Sequence, residues 1–213
     1  MNNRTTPTRL QNYIGGHYVP SSATEYLPVH NPSTGEVIAE TPVSLPEDVD
    51  QAVETARQAF PGWSGTPVTR RAALLFHYKA LLEQHFDELA ALVTLENGKT
   101  LAEAQGDVRR GIEVVDFACG IPHLIKGETL PKISESMDGS STYEPVGVCV
   151  GITPFNFPAM VPMWMFPLAL ACGNPFVLKP SEKVPLTANR LAELATEAGV
   201  PAGVLNVLHG SRE

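Results

Sequence analysis

The fold of this 213-residue chain is decided by the stretch VGVCVGITPFNFP at residues 146–158. A charge-free apolar run ends there in a polar loop between two prolines, which is typical of a buried strand that leads into a ligand site. The alternation continues downstream, with a helix predicted across 159–172, a strand at 175–178, a helix at 186–198 and a strand at 204–208. Buried strands alternating with helices predict a β-α-β-α-β unit with a parallel sheet. That unit is one mononucleotide-binding half of a doubly wound, Rossmann-like α/β fold.

The part of the chain before this unit is predicted to be mainly helical. It opens with a hairpin at 12–19, because Gly15-Gly16 separates two short runs that contain Tyr and β-branched residues. Helices then follow from Ser44, after Pro67, up to Asn97-Gly98, and from Thr100 to about Cys119. Residues 128–145 are expected to form an irregular connection or a second hairpin.

The first of these helices has the clearest signals. Ser44-x-x-Glu47 matches a capping box, with Pro46 in the first turn. Val49, Val53, Ala56 and Phe60 then fall on one face, which predicts that this face is buried.

Charge and composition exclude several function classes. A net charge of −8 and a pI near 5.2 argue against nucleic acid or an anionic membrane as a main partner. Residues 145–178 contain no Asp, Glu, Lys or Arg, but the prolines within them favour short buried elements over a membrane span. No apolar run follows the first charged residues, so a secretory signal is not expected. A cytoplasmic location is the default expectation, with a mitochondrial origin as the alternative.

The cysteines and histidines do not predict a metal or disulfide framework. Cys119, Cys149 and Cys172 are few and scattered, and each lies among apolar neighbours as an inert core residue would. The six histidines lack the H-E-x-x-H spacing of a zinc site. Gly98-Lys99-Thr100 has the ending of a phosphate-binding P-loop, but the required first glycine falls on Val93. We therefore expect no metal site and no P-loop.

Polar residues follow each of the three predicted strands, where an open parallel sheet binds its ligands. The three strand ends read TPFN at 153–156, KPSE at 179–182 and HGS at 209–211. The ammonium of Lys179 and the carboxylate of Glu182 suit a ribose, since one donates to hydroxyl oxygens and the other accepts from hydroxyl protons. The alternative is a solvated turn in which Ser181 caps the next helix.

These residues also match a family. The segments VGVCVGITPFNFP and MVPMWMFPLALACGNPFVLKPSEKVP, at 146–158 and 160–185, closely resemble the aldehyde dehydrogenase superfamily. The spellings PFNFP and WMFPLALACGN are similar to its CoA-acylating methylmalonate-semialdehyde dehydrogenase branch. The resemblance covers nearly the whole chain, including the leading Gly-Gly hairpin, ENGKT at 96–100 and NVLHG at 206–210. A G-x-G-x-x-G fingerprint is missing after the first strand, in agreement with this family.

The resemblance implies roles for six residues at the strand ends. Asn156 matches the asparagine whose side-chain amide helps to form an oxyanion hole, although a turn asparagine bound to local backbone is the alternative. Lys179 and Glu182 match contacts to the adenosine ribose of NAD. Positions that line the cofactor are matched by Thr153, Phe155 and Lys183. The implied reaction oxidises a semialdehyde through a cysteine thioester and passes the acyl group to CoA.

The resemblance also implies a domain organisation. Residues 1–127 and 146–213 would form an incomplete amino-terminal part of the NAD-binding domain, and 128–145 would begin a bridging and oligomerisation hairpin. The catalytic domain, with its cysteine, would be absent, and the full-length enzyme would be a homo-oligomer, specifically a tetramer.

One further candidate lies on the fourth helix. Arg109 has Glu113 one turn on and Asp116 beyond, which predicts a solvated ion pair. Arg110 instead shares its line with Val114, Phe117 and Ile121, and a guanidinium on an apolar line usually faces an anion. The resemblance makes Arg110 the anchor for the substrate carboxylate. A structural or snorkelling arginine remains the alternative.

Three functional interpretations follow from the sequence. The first is a fragment of a semialdehyde dehydrogenase that carries cofactor and oxyanion residues and is inactive alone; a related version is a different, non-acylating aldehyde dehydrogenase. The second is a non-catalytic nucleotide-binding module. The third is another enzyme that uses Cys149 as its nucleophile, which would require this thiol to be exposed at a strand end.

Overall fold

The computed structural model describes residues 7–211. The strands are β1 (Thr8–Arg9), β2 (Asn12–Ile14), β3 (His17–Val19), β4 (Tyr26–His30), β5 (Val37–Pro42), β6 (Thr129–Ser134), β7 (Met137–Ser140), β8 (Cys149–Ile152), β9 (Phe176–Lys179) and β10 (Leu205–Val207). The helices are α1 (Pro46–Ser64), α2 (Val68–Gln84), α3 (Phe86–Asn97), α4 (Leu101–Cys119), α5 (Ile121–Leu124), α6 (Met160–Ala171) and α7 (Pro185–Glu197). Within the described residues, no helix has both the length and the apolar character that crossing a membrane requires.

The predicted β-α-β-α-β unit is confirmed. β8, α6, β9, α7 and β10 follow in that order, and β9 pairs in parallel with both β8 and β10. The hairpin β2–β3 adds two antiparallel strands beyond β10, so that the sheet has the order β3-β2-β10-β9-β8. Gly15 and Gly16 turn this hairpin with φ values of 64° and 82°, which glycine adopts readily because it lacks a Cβ. The parallel sheet is therefore extended by the earlier hairpin.

The two faces of this sheet are covered differently. Phe176, Leu178 and Val207 point to one face and join the large core formed with the helices α2, α3, α4, α6 and α7. Val177 and Leu208 point to the other face, where they pack with Ala52 and Ala56 of α1. One face is thus part of a large core, whereas α1 covers only part of the other.

Because α1 covers this face of the sheet only in part, the predicted buried face of α1 is wrong. Val49 and Val53 are 41% and 38% exposed, although the periodicity predicted a buried face containing both. The buried line of α1 runs instead through Ala52 and Ala56, whose small side chains allow close contact with the sheet. Val49 and Val53 face an open space beside the sheet.

The cap of α1 lies one residue later than the predicted capping box, and it has only the acidic half of such a box. Leu45 is the N-cap, and its backbone N–H donates to Asp48 Oδ2 at 2.9 Å. Ser44 Oγ accepts instead from Asn12 Nδ2 at 3.0 Å, which ties α1 to β2. Pro46 occupies the first turn, as predicted.

The amino-terminal part contains both the predicted helices and an unpredicted sheet. α2, α3 and α4 match the predicted helices closely, and Gly98 ends α3 in the left-handed region with φ 79°. The second sheet has the order β1-β5-β4 and was not predicted from the sequence. Of the two alternatives for 128–145, the structure has a hairpin, β6–β7.

Candidate active site

An open cleft of about 680 Å³ lies at the carboxyl ends of β8, β9 and β10. Its floor is the apolar surface of the sheet, and its rim carries the polar residues that follow each strand. The lining residues are Ser44, Val49, Val53, Val150, Ile152, Thr153, Pro154, Phe155, Val177, Lys179, Ser181, Glu182, Lys183, Leu208, His209, Gly210 and Ser211. All five residues predicted to contact a cofactor are among them. The parallel register of the strands brings these separate loops to one edge, where an open α/β sheet binds its ligands.

Lys179 and Glu182 form a charged pair on this rim. Lys179 Nζ lies 3.8 Å from Glu182 Oε2, and both side chains are largely buried. Burial lowers the pKa of Lys179, and the nearby carboxylate of Glu182 opposes that effect. Since 3.8 Å is longer than a direct hydrogen bond, the ammonium can donate to hydroxyl groups of a ligand.

The loop after β8 forms the adjacent wall. Thr153 is buried, and its backbone N–H donates to the carbonyl of Lys179 at 3.0 Å, which joins the two strand ends. Phe155 is half exposed at the mouth of the cleft, and the ammonium of Lys183 lies 4.8 Å from its ring centroid. A cation at this distance from an aromatic face is attracted to the ring. The predicted contacts Thr153, Phe155 and Lys183 thus belong to one continuous surface.

Asn156 lies on the ridge between two clefts. It is exposed, and its neighbours face different ways, because Phe155 lines the first cleft and Phe157 lines a second cleft of about 600 Å³. Asn156 itself is not among the residues that line either of these two clefts. Asn156 and Lys179 lie at the same edge of the sheet, as predicted.

Arg110 contributes to the second cleft. The lining residues are Lys99, Glu103, Gly106, Asp107, Arg110, Phe157, Met160 and Trp164. The guanidinium is exposed here, beside the half-exposed ring of Trp164. A cation beside an aromatic wall suits an anionic ligand with an apolar body.

The neighbouring Arg109 does not pair as predicted. It forms an ion pair with Glu83 of α2 at 2.7 Å, and its guanidinium lies 4.5 Å from the ring centroid of Phe86. Asp116 instead pairs with Lys79 at 3.4 Å. Helix packing brings α2 alongside α4, so that a partner from another helix replaces those one or two turns away on α4.

Sequence reasoning missed Asp107, which braces the loop after β8 from behind. Its side chain is fully buried and accepts from Lys99 Nζ at 2.6 Å and from the backbone N–H of Met160 at 2.7 Å. The available signal was its place on α4, in line with the small residues Ala104 and Gly111, where a carboxylate is unusual. Buried carboxylates need such partners because burial without them costs several kcal/mol.

His209 was identified only as part of a strand end. Its side chain is 1% exposed, and its Nε2 lies 3.0 Å from Asn189 Oδ1, while its backbone N–H donates to Asn12 Oδ1. Burial, together with the positive charge of Lys179, lowers the pKa of His209 to about 4. The imidazole is therefore neutral at pH 7, and it supports the cleft next to Lys179.

The three cysteines do not have the environment of a nucleophile. Cys149 begins β8, about four residues and roughly 13 Å from the ligand edge at Thr153. Burial raises the pKa of Cys149 and Cys172, and it raises that of Cys119 to about 11. Thiols with raised pKa values are poor nucleophiles at neutral pH. Residues 7–211 also contain no group of three or more His, Cys, Asp or Glu side chains that could hold a metal ion.

Comparisons with known proteins identify the family. Residues 18–213 match the aldehyde dehydrogenase family. Malonate-semialdehyde dehydrogenase 1 of Geobacillus kaustophilus (strain HTA426) is 59% identical over 206 residues, which are 97% of this chain and 42% of that protein. Malonate-semialdehyde dehydrogenase of Halalkalibacterium halodurans is 56% identical over 213 residues, or 100% and 44%.

Solved structures agree with this result. The crystal structure of methylmalonate-semialdehyde dehydrogenase from Oceanimonas doudoroffii has a TM-score of 0.94 at 46% identity, over 96% of this chain and 42% of that one. A putative methylmalonate-semialdehyde dehydrogenase from Sinorhizobium meliloti 1021, complexed with NAD, has a TM-score of 0.96 at 44% identity, over 98% and 43%. The chain spans less than half the length of these proteins. It belongs to the aldehyde dehydrogenase family.

Proposed function

We propose that this chain carries the cofactor cleft and the oxyanion donor of an NAD-dependent, CoA-acylating malonate- or methylmalonate-semialdehyde dehydrogenase. The observation that carries the proposal is the common edge of the sheet, where the Lys179–Glu182 pair and Asn156 follow adjacent parallel strands. Relatives named for malonate semialdehyde, at 54–59% identity, support the substrate class. The CoA-acylating step rests on the resemblance of PFNFP and WMFPLALACGN to that branch.

The donor set of the first cleft fits a dinucleotide. An apolar floor that includes Val150 and Ile152 suits an adenine ring, and the charged pair on the rim suits its ribose. The carboxylate of Glu182 accepts from ribose hydroxyls and would repel a 2′-phosphate, which favours NAD over NADP. The NAD complex of the Sinorhizobium meliloti structure supports the same choice. When bound, NAD supplies the acceptor for a hydride.

Asn156 acts on the aldehyde oxygen in this proposal. When a thiolate attacks the aldehyde carbon, the carbonyl oxygen becomes an alkoxide, and the side-chain amide of Asn156 stabilises it by donating a hydrogen bond. Loss of hydride leaves a thioester, from which the thiol of CoA takes the acyl group and releases the enzyme thiol. We do not assign the attacking thiolate to Cys119, Cys149 or Cys172, because burial raises the pKa of all three thiols and Cys149 lies at the far end of β8 from this edge.

Arg110 holds the carboxylate of the semialdehyde in this proposal. It lies in the second cleft with Phe157, so a substrate there places its anionic end near the guanidinium and its aldehyde towards Asn156. Fork-shaped hydrogen bonding to a carboxylate makes arginine suited to this task.

The hairpin β6–β7 bears on the oligomeric state of the complete enzyme. The hairpin β6–β7 exposes Leu130, Ile133 and Met137, each more than half accessible, which suits its predicted role in oligomerisation. We propose a cytoplasmic homotetramer for the complete enzyme.

Nucleotide titration of the purified chain tests the cofactor role. Isothermal titration with NAD and NADP is expected to show a preference for NAD, and Lys179→Met should weaken NAD binding by roughly tenfold, the effect of one charge-assisted contact. Glu182→Gln should reduce the ratio of the affinity for NAD to the affinity for NADP. Lys126→Met, which removes an exposed lysine elsewhere, is the matched control. Equal binding of NAD by the Lys179→Met and control proteins would overturn the assignment of this cleft.

A chimeric enzyme tests the reaction. This chain is joined to the unmatched carboxyl-terminal part of the Geobacillus kaustophilus relative and assayed for NADH production from malonate semialdehyde. We expect activity that depends on CoA. Activity that does not depend on CoA would favour a non-acylating aldehyde dehydrogenase, whereas NAD binding without activity would favour a nucleotide-binding module.

A further inference from the structure

The four residues Glu96–Lys99 contact the two loops that form the candidate site, and Lys99 also lines the second cleft. They form the end of α3 and the turn into α4, and from the sequence alone they are only a helix stop. In the structure, three of their side chains contact segments far along the chain. Each contact ends on the loop after β8 or on the start of α7.

Asn97 binds the peptide that carries Asn156. Its Nδ2 donates to the backbone carbonyl of Phe155 at 2.8 Å. This carbonyl belongs to the peptide bond between Phe155 and Asn156, so the contact restrains the backbone of Asn156 directly. The hydrogen bond joins residues 58 positions apart, and local turn formation does not require it.

Lys99 holds the other side of the same loop. Its ammonium lies 4.0 Å from the ring centroid of Phe157 and forms the ion pair with the buried Asp107. Asp107 also accepts from the backbone N–H of Met160, where α6 begins. Both neighbours of Asn156, Phe155 and Phe157, are therefore held by residues two positions apart in one turn.

Glu96 reaches in a different direction, to the start of α7. Its carboxylate accepts from the backbone N–H groups of Leu186 and Thr187, at 2.7 and 2.9 Å, and from the hydroxyl of Thr187. These N–H groups belong to the first turn of α7, which has no partner of its own for them. The loop with Lys179 and Glu182 leads directly into this turn.

Gly98 sets the relative directions of these contacts. Its φ of 79° is in the left-handed region, and an added Cβ would lie 2.6 Å from Pro32 Cγ. The turn at Gly98 places the side chains on its two sides, Asn97 and Lys99, against the two neighbours of Asn156 in the loop after β8.

We propose that Glu96–Lys99 is a positioning element that fixes the loop of Asn156 against the start of α7, with Asn97 acting on Asn156 through the Phe155 carbonyl. The proposal rests on the oxyanion role proposed for Asn156. It assigns no contact with substrate or cofactor to Asn97. It predicts that loss of the Asn97 amide loosens one loop and lowers kcat while nucleotide affinity is retained.

The first experiment measures the loop in the chain itself and is independent of activity. Chymotrypsin cleaves after aromatic residues, and the bond between Phe155 and Asn156 is the one that Asn97 restrains. Asn97→Leu should raise the cleavage rate at this bond roughly three- to tenfold relative to the bond after Tyr143, the effect of one hydrogen bond. Asn97→Gln, which keeps an amide, should restore part of the protection. Leu95→Ala, on an exposed face of the same helix, is the control.

The second experiment is a double-mutant cycle in the chimeric enzyme. Asn97→Leu should lower kcat roughly three- to tenfold with little change in the Kd for NAD. In an Asn156→Ala background the same substitution should change kcat less than about twofold. The reason is that Asn97 affects kcat through the side-chain amide of Asn156, which this background lacks.

The outcomes separate this inference from the proposed function. Unchanged cleavage at Phe155 in Asn97→Leu overturns the positioning element whatever the enzyme does. A kcat loss that persists in the Asn156→Ala background overturns the route through Asn156. An inactive unsubstituted chimera counts against the proposed function, and the cleavage rate alone then decides whether the loop is held as described.

Discussion

Protonation of His209 should weaken the fold in a defined pH range. The side chain is buried beside Lys179, and burial followed by that positive charge lowers its pKa to about 4. A group whose pKa is lower in the folded state than the ordinary 6.5 contributes stability above pH 6.5. That stability is lost as the pH falls from 6.5 towards the folded value of about 4, because the unfolded state takes up the proton first.

The magnitude follows from the two pKa values. A fall from 6.5 to about 4 corresponds to roughly 3 kcal/mol, at 1.36 kcal/mol for each pKa unit. Most of this free energy should be lost by pH 4.5. It is a large share of the 5–15 kcal/mol that is typical of the stability of a folded domain.

Urea unfolding of the chain and of His209→Gln between pH 7.5 and 4.5 measures the effect. The free energy of unfolding of the unsubstituted protein should exceed that of the variant by an amount that shrinks by about 2–3 kcal/mol as the pH falls. Glu96, whose pKa burial raises to about 7, acts in the opposite direction, but it is present in both proteins and cancels in the difference. His77→Asn, at an exposed position, is the control. If the difference in the free energy of unfolding between the unsubstituted protein and His209→Gln stays constant across the pH range, the pKa of His209 does not contribute as described.

Three further predictions concern single side chains. In the chimeric enzyme, Asn156→Ala should lower kcat by roughly two to three orders of magnitude while the Kd for NAD barely changes; a main effect on NAD binding would mean that its role is different. Arg110→Leu should raise KM for malonate semialdehyde roughly ten- to a hundredfold and leave propanal almost unaffected, whereas equal losses for both substrates would indicate a structural arginine. Gly98→Ala should destabilise the chain in urea more than Gly35→Ala: both glycines have positive φ, where alanine costs about 1–2 kcal/mol, but only Gly98 also meets Pro32. Equal destabilisation would show that the Pro32 contact relaxes freely.

The β-α-β-α-β unit could be predicted because its signals are local. Apolar runs, prolines and strand-end polar groups lie within a few residues of one another. The order of strands and helices within 146–208 could therefore be predicted correctly. The sheet β1-β5-β4 lacks such signals. β4 contains Pro28 and ends at His30, and proline inside a run argues against a strand. Its pairing with β5 depends on contacts that no local pattern encodes.

The same distinction applies to the site. Lys179 and Glu182 could be paired from sequence because they are three residues apart at a strand end. Asp107 and Glu96 could not be linked to the site, since their backbone partners lie 53 and about 90 residues away. The hydrophobic stripe of a helix leaves open what a carboxylate on its buried side binds.

The exposure of β8 shows why an apolar pattern alone does not define a core. Its charge-free sequence predicts burial on both faces, and Cys149 and Gly151 do face α6, where a Cβ on Gly151 would meet Phe176 and Met165. Val150 and Ile152 point to the opposite face and are 59% and 70% exposed. There they form the floor of the cleft, directly below the polar rim. An apolar floor beside donors and acceptors is the arrangement that a base and its ribose require. Alternate residues of β8 therefore have different roles. Cys149 and Gly151 pack against the protein, whereas Val150 and Ile152 are available to a ligand.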